Sequence, residues 1–155
     1  MRSLAGLVPA AVSGVLGDVT IAAPAGIEGL GEVADRAGCR LVEERGAGAA
    51  LAAAFKSARY GDVLTLAAAR VPPAGFEHEL DSLMRAGVRQ YLMREEPQGL
   101  IGRLLPSCCP VALLVAPRAV LAPFVGREPS GSGLGYLARL AGKTRTMKTR
   151  ALVVG

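Results

Sequence analysis

The stretch "DVLTLAAARVPP", residues 62–73, decides how the rest of the chain is read. Val63, Leu64, Thr65 and Leu66 favour an extended strand, and Pro72-Pro73, which lack backbone N–H groups, must end it. In an α/β protein the carboxyl end of such a strand is where ligands and metals are usually handled. Here that end delivers Ala67, Ala68, Ala69 and Arg70, with no carboxylate between Asp62 and Glu77. The strand reaches a ligand position without ligand chemistry.

Working outward, strand-like and helix-like runs alternate. Towards the amino end, apolar spacing predicts a helix over 3–15, a strand "DVTIAA" (18–23), a helix over 28–37 stopped by Gly38, a strand "CRLVEE" (39–44) and an alanine-rich helix (46–59). Towards the carboxyl end come a helix over "FEHELDSLMRAG", a strand at or near a sheet edge over 88–95, and a short helix "QGLIGRLLP". The apolar run "PVALLVAP" (110–117) suits a strand covered on both faces. The glycine-rich "REPSGSG" then opens the helix "LGYLARLAG", and "TRTMKTRALVVG" ends the chain. Alternation of this kind implies a single domain with a three-layer α/β/α sandwich and a largely parallel, Rossmann-like sheet.

Composition narrows the function classes. The chain has 155 residues, is 51% hydrophobic and lacks tryptophan, so alanine, leucine and valine must fill the core. No apolar run reaches the roughly 18 residues of a membrane span. The start resembles a secretory signal superficially, but Pro9 and the strand from Asp18 fit an amphipathic first helix better. Five cations of the +5 chain (Arg139, Lys143, Arg145, Lys148 and Arg150) lie in "RLAGKTRTMKTR" (139–150) without an interleaved aromatic or acid. That is a solvated helix end and edge strand, or else a contact for an anion or a lipid headgroup at a membrane surface; nucleic acid is not expected. Cys39, Cys108 and Cys109 are odd in number and two are adjacent, which excludes a secreted disulfide framework and fits buried thiols in a reducing cytoplasm. A reactive Cys108-Cys109 pair would need a lowered thiol pKa. With His78 as the single histidine, no zinc ligand set forms.

Three features admit a sharper reading. Gly46 and Gly48 in "GAGAA" could cradle a phosphate at a helix start, or simply permit tight packing. Arg70 could pair a phosphate directly, or be a surface arginine at a turn. Glu77, His78, Glu79 and Asp81 form a solvated helix face, and nothing in the spacing of Glu43, Glu44, Glu95 and Glu96 argues for acid chemistry.

Residues 4–154 resemble the family 2 glycosyltransferases, particularly short bacterial members, in the order and spacing of their elements. "LVPAAVSGVLGDVTIAAPAGIEGLGEVADRAGCRLVEE" is similar to the family's first helix through third strand. "GAGAALAAAFKSARYGDVLTLAAARVPPAGFEHEL" is similar to its glycine-started helix, metal-motif strand and Pro-rich turn. "PVALLVAPRAVLAPFVG" and "GSGLGYLARLAGKTRTMKTRALVV" are similar to the strand after the acceptor region, the helix of the catalytic acid pair and the strand beyond. The resemblance implies a nucleotide-sugar-binding fold using Mg²⁺ or Mn²⁺ and a carboxylate base.

Carried over residue by residue, those carboxylates are missing. The first acidic loop is Ala22, Ala23, Pro24, Ala25 and Gly26; the metal motif is Ala67, Ala68, Ala69 and Arg70. The place of an Asp-Gln pair is held by Cys109, Pro110, Val111 and Ala112, and the start of the base-bearing helix by Gly131, Ser132 and Gly133. A divalent ion needs hard oxygen ligands and a base needs a titratable group, so no catalytic residue, metal or cofactor is expected. Pro24, Gly26, Gly46, Gly48, Ala68 and Arg70 remain as a degenerate nucleotide cleft, with Cys109, Gly131 and Ser132 on the acceptor side. The family's first strand, which lies inside the sheet, also has no counterpart here. The C-terminal strand, a second copy in a homodimer or a partner chain could fill its place, or the sheet could close up.

The expected function is therefore a binding or assembly pseudo-enzyme. The alternatives are a metal-independent glycosyltransferase or a nucleotidyltransferase acting on a nucleotide or nucleotide sugar.

Overall fold

The computed structural model describes residues 2–105, 109–121, 123, 133–140, 142 and 144–153. The chain is a mixed α/β protein with two sheets. Helix α1 (Arg2–Val12) leads to β1 (Thr20–Pro24), α2 (Leu30–Ala37), β2 (Arg40–Glu44) and α3 (Ala47–Ser57). Strands β3 (Asp62–Leu66) and β4 (Arg70–Val71) precede α4 (Phe76–Arg85), β5 (Tyr91–Glu95) and α5 (Gly99–Leu104). The chain continues through β6 (Val111–Pro117), α6 (Arg118–Leu121) and α7 (Gly133–Leu140) into β7 (Arg145–Val153). Gly38 stops α2 as its position implies: at φ 64° its N–H reaches the carbonyls of Ala34 and Asp35.

Strands β1 and β2 form a parallel pair, with Thr20 opposite Arg40 and Pro24 opposite Glu44. The other strands form a five-stranded sheet in the order β3-β6-β5-β7-β4. Here the expectation of a largely parallel sheet is corrected. Only β5 and β7 are parallel, while β6 runs antiparallel to both β3 and β5, and β4 antiparallel to β7. An unbroken apolar run specifies burial on both faces, not strand direction.

Strand β6 shows that double burial directly. Leu113 and Val115 enter one apolar cluster with Leu7 and Ala10 of α1 and Phe76 and Leu80 of α4. Leu114 and Ala116 enter a second, with Phe55 of α3, Leu121 of α6 and Leu134 and Leu137 of α7. Both leucines are fully buried, and each contributes roughly 1.5–3 kcal/mol of apolar burial.

Residues 88–95, expected at or near an edge, form β5 between β6 and β7, with Tyr91, Leu92 and Met93 buried. Strand β7 is an edge over residues 145–150, as expected of that segment, because β4 covers only Leu152 and Val153.

Strand β7 carries an irregularity that a helix side chain completes. Leu92 pairs Thr146 and Arg94 pairs Arg150, so one residue of β5 faces three of β7. The freed N–H groups of Lys148 and Thr149 donate to the Glu79 carboxylate at 2.6 and 3.0 Å. Burial resists ionisation of Glu79, but these two backbone bonds and the Lys148 charge outweigh it and hold the carboxyl below its ordinary value. Glu79 is therefore a sheet ligand rather than one member of a solvated helix face.

Candidate functional site

The residues singled out from sequence fall into two groups. Ala25 donates its N–H to the Glu44 carbonyl at 2.8 Å, which brings Pro24 and Gly26 beside the β2–α3 turn and Gly46. Gly26 has φ +90°, the left-handed region that glycine enters without a Cβ clash. Gly46 is extended (φ −151°, ψ 159°) at the start of α3, and Gly48 lies in its first turn. Neither glycine has a side-chain partner to define a phosphate site.

The second group gathers where β3 ends and β6 begins. Ala67 donates its N–H to Ala112, and left-handed Ala69 (φ +58°) turns the chain into β4. That turn places Arg70 so that Nη1 donates to the Ala68 carbonyl at 3.0 Å. Nε donates to Oε1 of Glu95 at 2.7 Å, and Nη2 lies 2.6 Å from the same oxygen as an ion pair. The Glu95 side chain is 12% exposed and that of Arg70 30%, so the pair is close-range, charge-assisted and only partly screened.

Arg70 thus follows a turn and is partly exposed, but its guanidinium is engaged by Glu95. Glu95, left without a role by sequence spacing, is its partner. One signal was available: Glu95 follows three apolar residues and Arg94 in a buried strand, and buried carboxylates are paired.

Cys109 is buried, and its carbonyl accepts from Arg94 Nη1 at 2.6 Å. Next to it, the Pro110 carbonyl accepts from the Glu95 N–H. Ala68, Arg70, Glu95 and Cys109 are therefore linked through one short network. Gly131, Ser132 and Cys108 lie outside the described residues. Cys39 is half-buried, and burial, with the Asp18 charge second, pushes its thiol pKa up, against thiolate chemistry.

The second group does not fit the divalent ion that the resemblance implies. Its one carboxylate, Glu95, is already held by the Arg70 guanidinium through a single oxygen, and a fixed cation beside it repels a second. Among the described residues no three His, Cys, Asp or Glu side chains cluster closely enough to hold a metal ion.

A cavity of about 290 Å³ lies elsewhere. Leu16, Asp62, Leu64, Leu80, Tyr91 and Val115 are among its walls, and an Asp62–Arg89 ion pair of 2.7 Å adjoins it. Burial, and secondly the Asp62 charge, drive the Tyr91 phenol far above its ordinary range, so it stays neutral. The common position of these residues beside β3 needs the tertiary fold.

Among the described residues, no helix is long and apolar enough to cross a membrane. Comparison with family models, with curated proteins and with solved structures returns no match.

Proposed function

We propose that the chain is a family 2 glycosyltransferase-like scaffold that has lost metal-dependent sugar transfer and works as a binding or assembly domain. The observation that carries this reading is a pair of unpaired strand edges. Strand β1 bonds only β2, and β3 bonds only β6, among the described residues.

Hydrogen-bond direction identifies the groups at those edges. Arg40 donates to Val19 and Ala25 to Glu44, so odd-numbered residues of β1 face β2, while Thr20, Ala22 and Pro24 face away. Arg118 donates to Gly61 and Ala67 to Ala112, so the backbones of Asp62, Leu64 and Leu66 face away from β6. The two strands begin side by side, where Asp18 meets Arg59 at 4.0 Å and Gly17 packs on the Tyr60 ring. The resembled family has an inner strand at this place. The C-terminal strand does not fill it, since β7 pairs with β5 and β4, and β1 does not close onto β3.

Exposed edges are templates for added strands, so a homodimer or a partner chain completes the sheet. The cavity beside Leu64 gives the incoming strand an apolar seat. Helices α1 and α4 on one face and α3, α6 and α7 on the other fit the three-layer sandwich of the nucleotide-sugar transferases. A metal-independent transferase is the weaker reading, because Arg70 would have to leave Glu95 to hold a phosphate.

Amide hydrogen exchange tests the assembly reading. Thr20, Ala22, Leu64 and Leu66 should exchange much faster than Val63 and Thr65 in the isolated chain, and become protected on assembly. Slow exchange at those four amides in a monomer would show that no edge is available, and the reading would fail.

A further inference from the structure

Arg94 of β5 stands directly opposite Arg150 of β7 in a parallel register, on strands about 4.8 Å apart. Like charges facing each other across a sheet are destabilising. The other half-buried arginines avoid this cost: Arg40 pairs Asp18 at 3.0 Å and Arg70 pairs Glu95 at 2.6 Å. No described carboxylate pairs with Arg94 or Arg150. Even Glu96, whose N–H bonds the Ala151 carbonyl, leaves Arg150 alone. Arg94 spends one N–H on the Cys109 carbonyl, and Nη1 of Arg150 is buried without a hydrogen-bond partner.

We infer that Arg94 and Arg150 form a binding site for a small tetrahedral oxyanion, a phosphate or phosphomonoester. Two guanidiniums on adjacent strands present several N–H donors to one such anion, and guanidinium matches phosphate in a bidentate manner. Arg94 and Arg150 are both half-buried, so attraction to an anion is only partly screened. The Cys109 carbonyl holds Arg94 in place. This site is separate from the Arg70–Glu95 pair, because successive side chains of a strand point to opposite faces, and it does not depend on the assembly reading.

The test is calorimetric titration of the full chain with inorganic phosphate and with glycerol phosphate at constant ionic strength. Saturable binding is expected, and Arg94→Gln and Arg150→Gln should each weaken it roughly ten- to hundredfold, the range for one charged hydrogen-bonding group. Arg36→Gln, at an exposed helix position, should leave it unchanged. Without added anion, Arg150→Gln should melt no lower than the parent, since one of two opposed charges is gone. Arg150→Lys, which keeps the charge and loses the fork, should bind more weakly than the parent while folding normally. No saturable heat with either anion, or equal affinity in the parent and both Gln variants, would overturn the proposal.

Discussion

Arg70 and Glu95, 25 residues apart, are joined by a hydrogen bond and a close ion pair to a single carboxylate oxygen, where β4 lies beyond β7 from β5. Removing one partner strands the other in a partly buried setting. Glu95→Ala should therefore lower stability by about 2–3 kcal/mol, the range for charged hydrogen bonds with an orphaned partner. Arg70→Met in the same chain should recover much of that loss. A double-mutant cycle by urea denaturation measures the coupling, and additive losses would mean that the pair is not coupled.

Ala69 holds φ +58°, a conformation that costs an L-residue roughly 1–2 kcal/mol. Ala69→Gly relieves this while enlarging the freedom of the unfolded chain. The net expectation is a gain of up to about 1 kcal/mol, read as a higher urea midpoint. A clear loss would show that Ala69 is not left-handed in solution.

Gly6 lets α1 lie against the start of the Pro-rich turn. A Cβ there would sit 2.9 Å from Val71 Cγ1 and 3.1 Å from Pro72 Cδ. Gly6→Ala should cost about 1–3 kcal/mol from overpacking, despite the better helix propensity of alanine. An unchanged thermal midpoint would contradict this packing.

Glu79 supplies the pH dependence. Its carboxyl is held below its ordinary value in the folded chain. Its contribution is thus complete above the unfolded carboxylate pKa near 4.3 and is lost as pH falls through the lower folded value. Glu79→Gln should destabilise at neutral pH, and the gap to the parent should narrow in acid. Denaturation midpoints across pH 2–7 give the comparison, and a gap that widens in acid would contradict the sign.

These relationships show what was legible in the sequence. The element order could be read because periodicity and stop signals are local: the apolar run of β6, the alanine helix α3 and the Gly38 stop all lie where expected. Strand direction and neighbours could not, because pairing partners come from distant segments; the apolar run of β6 implies burial on both faces but not that it runs antiparallel to β3 and β5. The same holds for side chains. That Ala67–Ala69 bring no ligand to the strand end follows from residue type alone. That Glu95 holds Arg70, that Glu79 serves β7 and that Arg94 faces Arg150 depend on contacts 25 to 70 positions apart.

The proposal that the chain has lost metal-dependent sugar transfer rests on the residues where β3 ends and β6 begins holding no divalent ion. Its most direct test is calorimetric titration with nucleoside diphosphates and nucleotide sugars, with and without Mn²⁺. The heats should be the same in the two series, with no component that needs the ion. Binding that appears only with Mn²⁺, and disappears in Glu95→Gln, would contradict the account.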